Sequence, residues 1–485
     1  MFYRPNRSQL QRLSRRQFLK QLGVGLAGAS FLSGCVAVPQ TQTVEKVVTV
    51  EVEKEVIKEV PQQSPWITGQ VPSDLTATFK YSSWEGEAEM RKWLLHFDNF
   101  FSTFYPNVEL QGDWGIPWGD YWTKLPTQLA AGAVIDMMWM HDTRAPSFAD
   151  KGWLLPLDDL LEAYPPPDWP DKFYPTQVES FRWNGKQYGI PYDFAPGGFY
   201  VNLDLLEEAG VDVPTEDWTM EDLLEAALKL TKDTNGDGEP DQWGVHIPTA
   251  WSAGFYWVVK NFGGDFWDEN VTESKFNMPE TITAFQYASD LMWKHKVMPS
   301  ATMLQGSGLE AGTAFASGLI AMFWSLNDEA FALAEVVGDK FKWTTAPSPR
   351  GPAGRFQFVG GSAFSIPTSS SQPELAYELA RWTLTNPANL KISGAMGSQF
   401  TGHVDYYEYG LPQPETGLDV EAFKHAMYDL GKRDGIHPIY HPKFLEWEPS
   451  VYQAVFDSVW IGEELDAAVA CQQAHDLTNE LLQAS

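Results

Sequence analysis

A recurring order of strand, loop and helix is the feature of this sequence that most restricts its fold. Residues 75–81 form a strand-like run, and the loop at 82–86 leads into a helical pattern. A second unit has a helix at about 122–131, an apolar run at 134–140 and then the loop His141-Asp142. Parallel strands of an α/β sheet end in loops at one edge, where ligands bind. The order predicts an α/β fold with candidate ligand loops after the strands.

Charge and length narrow the function classes. The 485 residues carry a formal net charge of −30. Nucleic acid and anionic lipid surfaces would be repelled over most of such a surface, so we expect no nucleic-acid partner. A chain of this length predicts two or three compact units.

The N-terminus has the pattern of an export signal. Basic residues without any acidic one precede an apolar stretch at 22–32, which is about ten residues and roughly half the length that a membrane-spanning helix needs. Within the basic part, Arg15-Arg16 with the following Phe18-Leu19 resembles the twin-arginine export signal. The pattern predicts that residues 1–34 are a signal peptide that is removed.

Cys35 closes the apolar stretch. Leu32-Ser33-Gly34-Cys35 resembles a bacterial lipobox, which predicts lipidation of Cys35. We therefore expect an exported protein on the outer face of the cell membrane or in the periplasm, in contact with the membrane through the lipid alone. Residues 35–72 are interpreted as the anchor and a flexible tether spanning on the order of 35 Å. An unmodified cysteine, or a valine-rich strand or stalk in this segment, is the alternative.

Five ordered stretches carry a resemblance to a known family. They are 124–132 with Asp136, 152–160, 186–192 with 200–202, 315–324, and 360–367 with 373–380. In this order they resemble the family 1 extracellular solute-binding proteins, the sugar-capturing subunits of ABC importers related to maltose-binding protein. No stretch after about residue 402 shows the resemblance.

The resemblance implies a two-lobed periplasmic-binding-protein type II (Venus flytrap) fold. Each lobe would be a mainly parallel sheet flanked by helices, with three hinge crossings at 186–202, 315–324 and 360–367. The implied lobes are 73–190 with 319–360, and 191–318 with 361–485. Closure of the lobes on a mono- or oligosaccharide would present the protein, as a monomer, to the transmembrane subunits of an ABC permease.

A sugar site needs flat aromatic surfaces and hydrogen-bonding groups on rigid loops. The loops that the resemblance places in the cleft offer both kinds, and glycines there would let backbone approach the ligand. The candidate ligand-binding residues are Trp84, Glu85, His141, Asp142, Tyr192, Asp193, Trp251, Trp257, Trp324, Asn327, Gly360 and Gly361. Several of the tryptophans are equally compatible with core positions, and Asp142 and Asp193 with caps or hinge acceptors.

The segment 233–241 has the oxygen spacing of a calcium loop, with glycine at the sixth position. We expect a structural calcium ion and no other cofactor. Gly244 stands where such loops usually carry an acid, so an unoccupied turn is the alternative. The candidate ligands are Asp233, Asn235, Asp237, Glu239 through its carbonyl, and Asp241.

The sequence alone does not exclude two other functions, those of a glycoside hydrolase and of a structural surface protein. A secreted glycoside hydrolase needs two carboxylates about one bond, and Glu85 with Asp142 or Asp193 could supply them. A structural or adhesive surface lipoprotein would explain the tether. The resemblance is to proteins without enzymatic activity, and it includes binding of glycerol phosphates as a less favoured ligand class.

Overall fold

The structure is a computed structural model, and it describes residues 64–84, 87–300, 302–304, 310–395, 400–412, 417–461 and 466–484. The expected signal peptide, Cys35, the tether up to residue 63 and Glu85 lie outside the described residues. Within the described ranges, no helix is both long enough and apolar enough to cross a membrane.

The strands form two mixed sheets and a short two-stranded ribbon. In chain order they are β1 (Ala77–Ser82), β2 (Val108–Asp113), β3 (Met137–His141), β4 (Arg182–Trp183), β5 (Lys186–Gln187), β6 (Ile190–Pro191), β7 (Asp193–Asn202), β8 (Trp243–His246), β9 (Ile320–Leu326), β10 (Trp343–Ala346), β11 (Gln357–Gly360), β12 (Ser362–Ser365), β13 (Phe400–Thr401) and β14 (Gly435–Ile436).

Helices connect the strands and pack on both sheets. In chain order they are α1 (Glu87–Phe104), α2 (Trp118–Ala130), α3 (Ala145–Asp150), α4 (Asp158–Ala163), α5 (Pro175–Ser180), α6 (Leu203–Ala209), α7 (Met220–Leu230), α8 (Ser252–Phe262), α9 (Pro279–Ser289), α10 (Ala311–Ala316), α11 (Glu329–Val337), α12 (Pro373–Thr385), α13 (Pro387–Ala395), α14 (Val420–Phe423), α15 (Leu430–Asp434), α16 (Phe444–Trp447), α17 (Ala454–Trp460) and α18 (Ala467–Gln483). Single π-helical stretches, Asp290–Lys294, Lys424–Asp429 and Glu448–Gln453, extend α9, α14 and α16, and Val404–Gly410 is a 3₁₀ helix.

The first lobe is built on the sheet β2-β1-β3-β12-β6. Strand β1 is parallel to β2 and β3, whereas β12 is antiparallel to β3 and β6. Helix α1 places Trp93, Phe97 and Phe100 at helical spacing on one face, and all three are fully buried in the first-lobe core. The helix covers the sheet because this face is apolar along its length.

The second lobe is built around β7, all ten residues of which are buried. It pairs antiparallel with β9, β10, β11 and β13, while β8 runs parallel to β9. A Cβ on Gly197 would lie 2.1 Å from the Trp324 ring, so only glycine lets this strand pass the indole. The predicted two-lobed α/β fold is confirmed, but the sheets are mixed, and most pairings in the second are antiparallel.

The assignment of late segments to the two lobes is wrong in the prediction. Residues 319–360 contain β9, β10 and β11, which belong to the second sheet, and residues 362–365 form β12 of the first. The expected crossing at 315–324 is instead the end of α10 and the start of β9, inside the second lobe. Strand β9 belongs to the second sheet because its backbone pairs with β7 and β8.

Within the described residues, the chain changes sheets three times. It passes from β6 to β7 at Tyr192 and from β11 to β12 at Gly361, and β13 (Phe400–Thr401) is again a strand of the second sheet. The changes of sheet at Tyr192 and Gly361 fall within the expected crossings 186–202 and 360–367. The change before β13 lies outside all three expected crossings.

The packed body begins earlier than the predicted boundary at residue 73. Its first residue is Pro65. The Trp66 ring packs edge-on against Trp382 at 5.0 Å. Glu378, which is fully buried, accepts hydrogen bonds from the Thr68 N–H at 2.7 Å and from the Thr68 hydroxyl. Residues 65–70 are therefore part of the first lobe and not of a flexible tether.

Truncation tests this boundary. A chain that begins at Ser73 should be less stable to unfolding by about 2–4 kcal/mol than one that begins at Pro65, because it loses the Trp66–Trp382 packing and the Thr68 hydrogen bonds to Glu378. Urea unfolding followed by circular dichroism measures the difference. The chain that begins at Pro65 should match the full chain, and equal midpoints for both truncated chains would restore the boundary at 72.

Candidate functional site

Aromatic rings gather where β1 and β3 end. The two strands are parallel and in register, so the loops that carry Trp84 and His141 emerge side by side. Trp118, at the start of α2, lies with its ring centroid 5.2 Å from that of Trp84 and 5.0 Å from that of His141. Its side chain is 40% exposed. These three residues, which we call the aromatic rim, form an open apolar surface edged by an imidazole.

Trp84 also supports the core beneath the rim. Its ring stacks on Trp139 at 4.6 Å with an interplanar angle of 18°, and it contacts Tyr121 and Trp122. The Tyr121 hydroxyl donates to the backbone carbonyls of Ser82 and Trp139, which fixes the two strand ends. Trp84 therefore contributes to the packing of the core as well as to the rim, whereas Trp118 is the more exposed of the two rings.

Two carboxylates hold the crossing between β11 and β12. Asp142 accepts a hydrogen bond from the Gly361 N–H at 2.7 Å, and its own N–H donates to the Gly361 carbonyl at 3.1 Å. Asp193, from the other crossing, accepts from the Ser362 N–H at 2.5 Å. A Cβ on Gly361 would lie 1.9 Å from Gln177 Oε1, so the position requires glycine. The two carboxylates join both crossings into one unit.

Their electrostatic states differ although both side chains are fully buried. Burial raises the pKa of Asp193 well above its usual value, and the nearby Asp142 and Asp328 add to the effect. Burial would also raise the pKa of Asp142, but the His141 and His437 rings and the Gly361 N–H outweigh it and hold that pKa below its usual value. Asp142 is therefore the charged member of the pair.

The second lobe faces this crossing with aromatic and imidazole groups. His437 Nδ1 lies 3.5 Å from Asp142 Oδ2, and burial lowers the pKa of His437. Trp251 packs edge-on against Phe358 at 5.3 Å, and Phe358 lies beside Gly360. The predicted residues Trp251, Gly360 and Asp142 are thus brought to one place, with His437 and Phe358 added.

Other predicted site residues lie elsewhere. Trp257 and Trp324 stack on each other at 5.7 Å inside the second-lobe core, and Trp324 donates to the Ser348 hydroxyl. Tyr192 fills the first-lobe core, with its hydroxyl 2.5 Å from Lys92 Nζ. Asn327 is fully buried at the end of β9. In this structure the rings and the amide are enclosed by protein, so none of these four side chains offers an exposed surface to a ligand.

The calcium prediction is not supported. Asp233 accepts backbone N–H groups of Gly236 and Gly238, and both oxygens of Asp241 are bonded to Thr234. The Glu239 carboxylate pairs with Lys296 at 2.7 Å. Across the described residues, no group of three or more His, Cys, Asp or Glu side chains could hold a metal ion. The side-chain oxygens of this segment accept hydrogen bonds from the segment's own backbone N–H groups and so stabilise a turn.

Neither Asp142 nor Asp193 is available as the partner of Glu85 in a glycoside hydrolase. Both side chains are fully buried and accept hydrogen bonds from backbone at the crossing. Two carboxyl groups that act on a glycosidic bond must instead flank a substrate. The pair is a structural element of the hinge.

Sequence reasoning missed Trp118, His437 and the interlobe ion pair of Arg144 with Glu448. Trp118 could have been found, because it begins a helix directly after the loop that follows β2. No local pattern marks His437 or Glu448, which meet the first lobe only through folding of the C-terminal segment.

Comparison with known proteins decides the family. The sequence profile of the bacterial extracellular solute-binding proteins matches residues 85–390. The chain belongs to this family. Members of the bacterial extracellular solute-binding family bind solutes without catalysing a reaction, so the expectation of a non-enzymatic binding protein is confirmed.

Two relatives in this solute-binding family are arabinooligosaccharide-binding proteins. The one from Bacillus subtilis is 23% identical over 419 residues, which are 78% of this chain and 89% of the relative. The one from Halalkalibacterium halodurans is 25% identical over 281 residues, which are 56% of this chain and only 59% of the relative.

The fold is shared with a solved member. An ABC substrate-binding protein of Listeria monocytogenes, in complex with cycloalternan, superposes with a TM-score of 0.72 at 23% identity. The match covers 84% of this chain and all of the Listeria chain. At this identity the likeness shows the two-lobed fold of the solute-binding family.

Replacing Asp193 with Asn tests the electrostatic assignment. The unfolded carboxyl ionises above about pH 3.8 while the native one stays protonated, so the wild type loses stability as pH rises above that value. The melting temperature of Asp193→Asn relative to the wild type should therefore increase from pH 4 to pH 8.

Asp142→Asn is the matched control, because the pKa of Asp142 is shifted in the opposite direction to that of Asp193. Because the native pKa of Asp142 is lowered, this variant should be less stable than the wild type throughout pH 4–8. A melting-temperature difference for Asp193→Asn that does not change with pH would contradict the assignment.

Proposed function

We propose that this protein is the sugar-binding subunit of an ABC importer, which captures a mono- or oligosaccharide and delivers it to a membrane permease. The observation that carries the proposal is the aromatic rim, Trp84, Trp118 and His141, at the edge of a sheet that meets the second lobe. The names of the arabinooligosaccharide-binding relatives and of the cycloalternan complex support the same ligand class.

The rim suits a neutral sugar for a physical reason. The C–H faces of a pyranose or furanose ring pack on an indole, and the exposed Trp118 offers such a face. His141 lies beside it as a hydrogen-bonding group held by Thr143 at 2.9 Å. A polar group on a rigid loop next to an apolar platform orients the hydroxyls of a sugar that stacks on the platform.

Hinge closure would couple binding to transport. The ligand would contact the rim on the first lobe and groups such as Trp251 on the second, so it would bind the closed arrangement more tightly than the open one. Asp142 and Asp193 tie the crossings together, which confines motion to rotation about them. The permease would then recognise the closed protein.

Export and anchoring complete the proposal. The twin-arginine-type signal at 1–34 and the lipobox that ends at Cys35 would anchor the protein, as a monomer, on the outer face of the cell membrane or in the periplasm. In a bacterial host, the full chain should sediment with membranes, and Cys35→Ser should release it in soluble form. Sedimentation of the serine variant with membranes would remove the anchor from Cys35.

A sugar panel tests the function. Calorimetric titration with arabinotriose, maltotriose, mannobiose and glycerol 3-phosphate should show binding of at least one sugar and none of the phosphate. Chromatography of the mixture should return the sugar unchanged. A shortened sugar would overturn the proposal in favour of a hydrolase, and the absence of binding across a wide panel would favour a structural role.

Trp118→Ala tests the rim. Loss of one stacking face should weaken binding of the best sugar of the panel by about tenfold, with little change in melting temperature because the side chain is exposed. Trp84→Ala should weaken binding and also destabilise the fold, since it removes the stack on Trp139. Trp218→Ala, in the second lobe and outside the rim, is the control and should leave affinity unchanged.

A further inference from the structure

An ion pair connects the two lobes beside the aromatic rim. Arg144 follows β3 in the first lobe, and its Nη2 donates to Glu448 Oε2 in the second lobe at 2.9 Å. The side chains are only 12% and 7% exposed. The two charges are therefore removed from water together where the lobes meet.

Each partner is oriented by its surroundings. The other carboxylate oxygen of Glu448 accepts from the Ser252 hydroxyl at 2.8 Å, within the second lobe. The Arg144 guanidinium lies 4.9 Å from the ring centroid of Phe444 and 5.8 Å from that of Trp122. One ring belongs to each lobe, so the guanidinium contacts aromatic side chains on both sides of the junction.

Apolar packing continues at the same point. Leu445, next to Phe444 in α16, packs against the first-lobe cluster that contains Trp122 and Phe148. The segment 444–448 thus presents two apolar side chains and a carboxylate to the first lobe. The two lobes therefore meet here through both an ion pair and apolar packing.

The energetics of such a pair suit a reversible junction. A buried pair roughly balances the cost of dehydration against attraction, so it adds little net stability. An apolar contact of the same size would hold the lobes together whether or not a solute is bound. A paired charge instead tolerates little displacement, and it can be hydrated again when the lobes separate.

We propose that Arg144 and Glu448 form a latch that selects the closed arrangement of the lobes and thereby sets the affinity for the solute. They are positioning residues that act through the junction. The effect on affinity rests on the proposed function, whereas the effect on the junction does not.

A double-mutant cycle in the full chain tests the latch. The variants are Arg144→Met, Glu448→Gln and the double substitution, which keep the approximate side-chain volume. Hydrogen–deuterium exchange without sugar should show faster exchange over 141–150 and 442–453 in each single variant, because each leaves one buried charge unpaired. The double variant should return to nearly wild-type protection.

Affinity should follow the same pattern. Titration with whichever of arabinotriose, maltotriose and mannobiose binds the wild type best should show affinity weakened at least about tenfold in the single variants and within about threefold of wild type in the double variant. Arg355→Met is the control, because it breaks the pair with Asp434 that lies wholly within the second lobe. It should lower the melting temperature while leaving protection over 141–150 unchanged.

Defined results would overturn the latch. Unchanged exchange in the single variants, or losses that add in the double variant, would show that the charges do not act as a pair across the junction. Altered exchange with unchanged affinity would remove the link to binding. If none of these three sugars binds the wild type, the proposed ligand class fails, while the exchange data still decide whether the junction depends on the pair.

Discussion

The backbone of the crossing at 360–362 is the element on which the two-lobed arrangement depends. Asp142, from the end of a first-lobe strand, binds the Gly361 N–H, and Asp193, from the start of the central second-lobe strand, binds the Ser362 N–H. Backbone donors removed from water must find partners, and Gly361 lies between β11 and β12, outside both strands. The buried carboxyl groups of Asp142 and Asp193 supply them, the first charged and the second protonated.

This arrangement constrains what the cleft can do. Asp142 and Asp193 are committed to the crossing, and the proposed recognition surface therefore lies on the exposed edge of the first lobe, with Trp118 foremost. The Arg144–Glu448 pair lies on the same side of the junction. The proposed binding surface and the interlobe contact are therefore adjacent, as the proposed coupling of solute binding to closure requires.

Much of the fold could be predicted from the sequence, because its local signals are strong. The apolar face of α1 and the strand runs at β1 and β3 are periodic and continuous, so they are visible without a partner. The lobe assignment of β9 and β12 could not be predicted this way. Both are short apolar strands, and only hydrogen bonding to β7 or β3 decides which sheet each joins.

The sequence by itself determined the α/β class, the family resemblance, the loops that carry Trp84, His141 and Asp142, and the crossing glycines, since all of these are local patterns. Tertiary structure alone decided that Trp257 and Trp324 are core, that Asp193 is a hinge acceptor and that Arg144 meets Glu448. Burial and long-range pairing depend on how distant segments pack, and residue type and spacing do not encode them locally.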